Sequence, residues 1–477
     1  MPTVKVFKIN LLYFSYIYHY SFYMNTSNNE SFAEVQYNKM INTPVSKLIV
    51  GLAIPTVISM LVTSIYNMAD TFFVSQISTQ ASAAVGVVFP IMSIIQAFGF
   101  TLGMGSGSLI SIRLGQKRNE EANVIVSTAF FTAIGIGLLI TFLGNIFSSQ
   151  ILSLIGASNT VLPYAQAYAK YIFFGAPIMT ASFVLNNVLR SEGKALFSMI
   201  GLTSGGVLNI ILDPIFIYTF DMGIAGAAIA TLCSQCVSFI ILLFCFLRKK
   251  TVCRINIKSY STSKEILPKI VTTGFPSLSR QGLASVSSIL LNTAAGAYGD
   301  AAIAGMTITT KIVMFVASIM IGVGQGFSPV SGYNYGAKHY DRVKQAYKFT
   351  VTTGFILMGS LAVLIFIFAN NIMNMFIKDF DVVAIGGETL RWQVTFLPFH
   401  SVIIGTNMLM QSTRHIKSAT YLSMNRNGIY FIPAILILPR LIGLQGVEIA
   451  QFVADVLSTF TAIPFAILFF KKIQKKM

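Results

Sequence analysis

Apolar stretches of about 20 residues or more recur along nearly the whole chain, the length that a helix rising 1.5 Å per residue needs to cross a bilayer. Their residues do not alternate between polar and apolar, as the strands of a transmembrane barrel would. Of the 477 residues, 54% are hydrophobic and only 10% are charged, which is too apolar for a soluble globular protein. The sequence therefore predicts an all-α integral membrane protein with twelve transmembrane helices between residues 46 and 470.

The formal net charge of +17 reflects the predicted membrane topology, because the basic residues collect at one end of the predicted helices. Most lie in short loops after the even-numbered helices or in the C-terminal tail: Arg113, Lys117, Arg118, Arg190, Lys194, the run from Arg248 to Lys269, Lys338, Arg342, Lys344, Lys348, Arg414, Lys417, Arg426, Lys471, Lys472, Lys475 and Lys476. We call this end of the predicted bundle the basic end. The positive-inside rule places it, with both termini, in the cytoplasm of a cell-membrane protein. No basic soluble domain is present to bind nucleic acid, so we expect no such partner.

The chain divides into five predicted segments. Residues 1–44 form an N-terminal cytoplasmic segment, 45–247 an N-lobe of six helices, 248–266 a cytoplasmic inter-lobe loop, 267–470 a C-lobe of six helices, and 471–477 a basic tail. Residues 1–23 include a tyrosine-rich stretch without a small-residue cleavage site, which argues against a signal peptide. We favour Met24 as the translation start, with residues 1–23 as an upstream extension.

An internal repeat links the two predicted lobes at an offset of about 220 residues. Five motifs recur in the same order, among them Gly103-x-Gly105-x-Gly107 with Gly322-x-Gly324-x-Gly326, and Ala53-Ile54-Pro55 with Gly274-Phe275-Pro276. Six helices per repeat is an even number, so both halves enter the membrane in the same direction and form parallel repeats. Transporters built in this way commonly bind their substrate between the two halves.

Four oxygen-bearing side chains of the N-lobe fall at one predicted depth. Asp70 and Asp213 lie about 8–11 Å below the outer ends of helices one and five, and Thr231 lies about 12 Å inside helix six. Asn209 precedes Asp213 by one helical turn, on the same face. Such a cluster suits a small cation, or a proton shared by two carboxylates. The alternative is that each side chain only bonds neighbouring backbone near a helix end.

Two prolines lie close to this predicted cluster. Pro214 directly follows Asp213, and Pro55 falls midway along helix one. Because proline removes a helical hydrogen bond, we predict hinges at both positions.

The C-lobe carries a different set of charges. Glu448 and Asp455 share one face of helix twelve, while Arg280 and Lys311 lie within helices seven and eight. Depth along the helices favours a Lys311–Asp455 ion pair, since a charge in the bilayer is costly unless it is paired. The residues leave open whether this C-lobe ion network is structural or takes part in gating.

Several longer motifs resemble the multidrug and toxic compound extrusion (MATE) family, in its bacterial MepA- and DinF-type branch. They are the runs Tyr66 to Val74, Arg190 to Gly193, Asn209 to Phe216, Gly324 to Pro329 and Gly332 to Ala337. The resemblance, over about residues 40 to 470, implies a V-shaped body and export driven by inward Na⁺ or H⁺. It places Asp70, Asn209, Asp213 and Thr231 in the cation site, with no other metal. We assign Asn186, Tyr66 and Gln281 to the substrate cavity.

The expected activity is therefore export of small organic cations by a monomer in the lipid bilayer, coupled to Na⁺ or H⁺ and without a cofactor. Abundant Phe and Met would provide apolar and cation–π contacts. Some relatives have an acid early in helix seven, where this chain has Arg280 and Gln281, so a second cation site in the C-lobe is not expected. A flippase for lipid-linked precursors would need a more basic cavity. A membrane enzyme would need a dense catalytic motif, and the four His residues are scattered.

Overall fold

The computed structural model describes residues 31–248, 250–261 and 263–475, which form helices and connecting loops without a β-strand. The question of a start at Met24 lies outside these residues. The helices are α1 (Phe32–Asn42), α2 (Val45–Ser75), α3 (Thr79–Gly115), α4 (Asn119–Ile146), α5 (Ser148–Leu154), α6 (Leu162–Ser191), α7 (Ala195–Pro214), α8 (Gly223–Leu247), α9 (Ile266–Gly296), α10 (Asp300–Gly336), α11 (Tyr340–Ile367), α12 (Ala369–Phe376), α13 (Phe380–Thr395), α14 (His400–Ser412), α15 (Ile416–Met424), α16 (Phe431–Ile442) and α17 (Leu444–Gln474).

Twelve membrane spans follow from these helices, as the sequence predicts. Within the described residues, nine helices are long and apolar enough to cross a membrane on their own. Helix α9 is a tenth span, of 31 residues. The remaining two spans are each broken: α13 and α14 are joined by a 3₁₀ turn that contains Pro398, and α15 and α16 by a π-helical turn. Helices α1, α5 and α12 are too short to span.

The predicted repeat has a direct structural counterpart in two hydrogen bonds. In the N-lobe, the Asn186 side-chain amide donates to the Ser198 carbonyl across 3.2 Å, and in the C-lobe Asn407 donates to the Ala419 carbonyl across 3.0 Å. Both residues of the second bond follow those of the first by about 220 positions, the offset of the sequence repeat. In each lobe this bond joins the fourth span to the fifth, so the two lobes are parallel copies of one architecture.

Glycines bring the two lobes into backbone contact in the half of the membrane body nearest the basic end. A Cβ added to Gly326 of α10 would lie 2.6 Å from the backbone nitrogen of Ala53 in α2, and one added to Gly105 of α3 would overlap the Ile270 carbonyl of α9. Small residues allow this close approach between helices. The lobes therefore meet at the basic end, and the cleft between them lies towards the opposite end.

Candidate cation site in the N-lobe

Three helices place the four predicted site residues near the end of the N-lobe opposite the basic end. Asp70 lies in the last part of α2, Asn209 and Asp213 lie one turn apart in α7, and Thr231 lies in α8. Pro214 ends α7 directly after Asp213, and the chain continues in a π-helical turn, Ile215–Thr219. Because proline has no N–H to donate, the regular hydrogen-bond ladder is interrupted beside the carboxylate.

Hydrogen bonds join three of these side chains directly. The Asn209 amide donates to Asp213 Oδ1 across 2.9 Å and lies 3.5 Å from Thr231 Oγ1. Asp213 is fully buried and Asn209 is almost so. Asp70 lies close enough to Asp213 for the two carboxylates to interact electrostatically. The structure thus brings together all four residues that the sequence placed at one depth.

Several oxygens of this cluster have no protein partner within the described part of the chain. They are Asp70 Oδ1, Asn209 Oδ1, Asp213 Oδ2 and the Tyr168 hydroxyl, each buried from solvent. A buried acceptor without a donor is costly, and more so on a charged group. Hard oxygen donors of this kind are the ligands that small cations prefer. The residues present therefore fit a bound Na⁺, or a proton on one carboxylate.

Tyr168 of α6 belongs to this site although the sequence analysis did not select it. Its side chain is fully buried, and its hydroxyl lies within electrostatic range of Asp70, Asp213 and Thr231 but forms no hydrogen bond with a described residue. A signal was available, because Tyr168 lies six residues from the start of α6, about 9 Å deep, at the predicted depth of the two carboxylates. A tyrosine in an apolar helix is usually a packing residue, so its depth alone does not single it out.

The residues assigned to the substrate cavity separate in the structure. Tyr66 lies one turn from Asp70 on α2 and interacts with it. Gln281 follows Gly274 by two turns, on the face of α9 that contacts the N-lobe, and is half-buried, so its place in a substrate cavity stays a prediction. Asn186 is a correction, since its amide is bound to Ser198. Ser198 is about 22 Å along α7 from Asp213, which puts Asn186 near the basic end.

The two predicted hinge prolines have different surroundings. Pro55 is buried inside α2, which remains helical from Val45 to Ser75 on both sides of it. Pro214 coincides with the change from α-helical to π-helical backbone. The helix is thus locally deformed at Pro214. Pro55 instead lies where α2 packs against α10 of the other lobe.

The C-lobe ion network differs from the prediction, because Asp455 does not pair with Lys311. Arg426 donates from Nε to Asp455 Oδ1 across 2.7 Å, His400 Nε2 lies 2.9 Å from Oδ2, and Gln451 donates to Oδ1 across 3.0 Å. The carboxylate is only 1% exposed. Its neighbours satisfy both oxygens, so this carboxylate has no free oxygen with which to bind a cation, while its part in structure or gating stays open.

Arg426 was missed because the sequence analysis counted it with the loops of the basic end. It lies in the π-helical turn of the eleventh span, about 15 Å beyond the start of α15. Of the other predicted members, Lys311 is exposed and Arg280 half-buried, while Glu448 is buried. None of these three forms a salt bridge with a described residue.

Twelve apolar spans in two parallel repeats, with buried oxygen ligands in one lobe and a cleft between the lobes, define a polytopic membrane transporter. Comparison with known proteins agrees with this class. The sequence model of the MatE family matches residues 55–215 and 276–436. The chain therefore belongs to the MatE family, and it is a membrane transporter and not an enzyme.

Individual relatives extend the likeness over most of the chain. The multidrug export protein MepA of Staphylococcus aureus (strain MSSA476) is 28% identical over 422 residues, which cover 88% of this chain and 93% of MepA. MepA of Staphylococcus saprophyticus is 27% identical over 86% of this chain and 91% of its own length. A solved outward-facing structure of a multidrug resistance MATE family transporter of the MOP superfamily superimposes with a TM-score of 0.88, at 27% identity, over 92% of this chain and 98% of that one.

Proposed function

We propose that this protein is a secondary multidrug efflux transporter that exchanges an inward-moving cation, Na⁺ or H⁺, for small organic cations. The unpartnered oxygens around Asp70 and Asp213 support this most strongly. Two interacting carboxylates buried in the membrane are costly when both are charged, and a bound cation or proton offsets that cost. The site therefore favours a bound cation or proton, which would enter from the side of the membrane to which the site is open.

Coupling follows if the filled and empty sites favour different shapes of the N-lobe. Asp70 belongs to α2, whereas its partners belong to α6, α7 and α8. A cation bound among them would draw α2 towards the other three helices, and its release would free α2 to bend at Pro55. A ligand shifts the equilibrium between two shapes of the N-lobe only if it binds one shape more tightly than the other. Here the cation would have more oxygen contacts in the shape with α2 close to the other three helices.

The export direction rests on orientation. The basic end would face the cytoplasm by the positive-inside rule, with both termini there, in the cell membrane. The cleft in this structure then opens outward, towards the side from which the coupling ion enters. The named activity of the MepA relatives is multidrug export, and we extend it to this chain as a monomer acting on organic cations.

A transport panel tests the proposal. The purified protein would be reconstituted in proteoliposomes with a series of fluorescent organic cations, and Na⁺ and pH gradients would be imposed separately. We expect at least one gradient to accelerate transport of several of these compounds. Rates that stay at the level of protein-free vesicles under both gradients, for every compound, would refute the proposal.

A further inference from the structure

The short helix α1 lies outside the membrane spans, against the basic end of both lobes. Ser31 caps it, accepting from the Glu34 backbone N–H, and its 11 residues bury Gln36, Met40 and Ile41. Met40 is completely inaccessible to solvent. An isolated helix of this length is marginal in water, so its contacts with the membrane body hold it in place. We call residues 31–43 the latch.

On the N-lobe side, the latch docks on the loop between α6 and α7. The Gln36 side-chain amide donates to the Glu192 carbonyl across 2.6 Å, and Lys194 Nζ lies 3.9 Å from the centre of the Phe32 ring. Gly193 has a φ of +80°, and a Cβ there would lie 2.8 Å from Met40 Sδ. A side chain at this position would therefore collide with the latch, and the positive φ also favours glycine.

The same loop also binds the connection between the lobes. The two carboxylate oxygens of Glu192 accept from the backbone N–H groups of Val252 and Cys253, across 2.8 and 2.9 Å. Burial raises the pKa of Glu192, while nearby Lys194 and these two N–H groups act to lower it. Burial likewise lowers the pKa of Lys194, to about 8. The N-lobe loop therefore holds both the latch and the inter-lobe loop.

On the C-lobe side, the last turn of the latch is held by two polar side chains. Arg342 of α11 donates to the Thr43 carbonyl across 2.6 Å, and Asn334 of α10 donates to the Met40 carbonyl across 3.4 Å. A further bond of 2.8 Å from Arg342 Nε to Asn334 Oδ1 fixes the two side chains relative to each other. Carbonyls at a helix C-terminus lack helical partners, and a cation there also complements the helix dipole.

We propose that residues 31–43 form a latch that ties the two lobes together at the basic end, and that Arg342 and Asn334 must release it before that end can open. The proposal rests on the proposed function, since it assumes that the lobes separate there during transport. The latch continues through Pro44 into α2, the helix that carries Asp70. Its release is thus linked through one helix to the state of the cation site.

Distance measurements by double electron–electron resonance test the latch without any transported compound. Spin labels would be placed at Glu120→Cys in α4 and Gln345→Cys in α11, one on each lobe near the basic end, with the native cysteines replaced. We expect Arg342→Ala to increase the population with long inter-lobe distances at least twofold. Lys344→Ala is the matched control, because it removes an exposed cation two residues away that makes no latch contact. Distance distributions that coincide for the two variants would overturn the proposal.

A reversible cross-link gives the opposite perturbation, and its reduced state is the control for the loss of the Arg342 side chain. Because the contact spans a whole arginine side chain, Thr43→Cys and Arg342→Cys would be joined by a short bis-methanethiosulfonate reagent and not by a direct disulfide. We expect the long-distance population to disappear and transport to fall at least tenfold on cross-linking, with recovery after reduction, while either single cysteine is insensitive to the reagent. Normal transport with the cross-link fully formed would refute the latch and leave the cation site unaffected. A different result would refute only the proposed ion coupling: transport that does not depend on a Na⁺ or pH gradient, in a protein whose inter-lobe distances change as expected for the latch variants.

Discussion

Asn209 donates to one oxygen of Asp213 across 2.9 Å, and the other oxygen of that carboxylate has no partner among the described residues. One turn of α7 thus holds the carboxylate in place and leaves half of its bonding capacity free. A residue that only stabilised the helix end would have both oxygens satisfied, as Asp455 has in the C-lobe. This contrast between the two buried acids is the reason why we propose a binding site at Asp213 and a structural ion pair at Asp455.

Replacing the carboxylates of the site should stop coupled export and leave membrane insertion intact. Asp213→Asn removes the charge but keeps the shape of the side chain, so we expect drug efflux from cells to fall at least tenfold. Asp70→Asn should weaken efflux as well, and the double variant should be little worse than the worse single one if both act as a unit. Asp221→Asn, the same change at an exposed acid in the following loop, is the control. Unimpaired efflux by Asp213→Asn at normal expression would contradict the account.

Tyr168→Phe tests the site residue that the structure added. It removes only a hydroxyl whose oxygen is buried beside the two carboxylates. A hydrogen bond or oxygen contact to a charged group is worth about 1.5 kcal/mol or more, so we expect about a tenfold weaker apparent affinity for the coupling cation. The measurement is the Na⁺ or H⁺ concentration that gives half-maximal transport. Tyr164→Phe, at an exposed tyrosine one turn earlier, should leave that concentration unchanged.

The C-lobe ion pair should matter for stability. Arg426→Met leaves the buried Asp455 carboxylate without its arginine, at a cost of about 3 kcal/mol, and Asp455→Leu leaves the half-buried Arg426 without its acid, whereas the double variant removes both charges. We expect each single change to lower the melting temperature in detergent and the double variant to recover most of the loss. Lys311→Met should change it little, because Lys311 forms no salt bridge with a described residue. If the decrease in melting temperature of the double variant equals the sum of the decreases of the two single variants, the two residues do not stabilise the protein as a pair.

Cysteine labelling tests the orientation on which the direction of transport depends. Ser158 lies in an exposed loop at one end of the bundle, and Lys258 and Lys338 are exposed at the other. A membrane-impermeant maleimide should react with Ser158→Cys in intact cells, and with Lys258→Cys and Lys338→Cys only after permeabilisation. Labelling of Lys258→Cys from outside intact cells would reverse the assigned topology.

Much of the membrane architecture could be predicted from the sequence because bilayer thickness fixes the length of an apolar helix. The same rule, counted from helix ends, placed Asp70, Asn209, Asp213 and Thr231 at one level, since depth depends only on position along a straight helix. Counting depth does not give rotation about the helix axis or the neighbours of a helix. For that reason depth alone predicts a pair between Lys311 and Asp455. In the structure the Asp455 carboxylate instead binds Arg426 and His400, which lie on neighbouring spans.

The latch could not be predicted, because nothing in residues 31–43 alone distinguishes a docked helix from a solvated polar segment. Its contacts come from Glu192, Asn334 and Arg342, which are far away in sequence. The two broken spans escaped the prediction for a related reason. Pro398 indicates one break, but the π-helical turn at Asn425–Tyr430 contains no proline that would indicate the other.

Ion movement driven by substrate tests the central claim most directly. Proteoliposomes containing the purified protein would be prepared without an ion gradient, an organic cation that the protein transports would be added on one side, and the resulting Na⁺ or H⁺ movement would be followed with radioactive sodium or a pH-sensitive dye. The account predicts that the wild-type protein moves one of these ions in the direction opposite to the substrate, and that Asp213→Asn reduces this ion flux at least tenfold. Substrate transport by the wild-type protein without movement of either ion, or ion flux through Asp213→Asn at the wild-type rate, would contradict it.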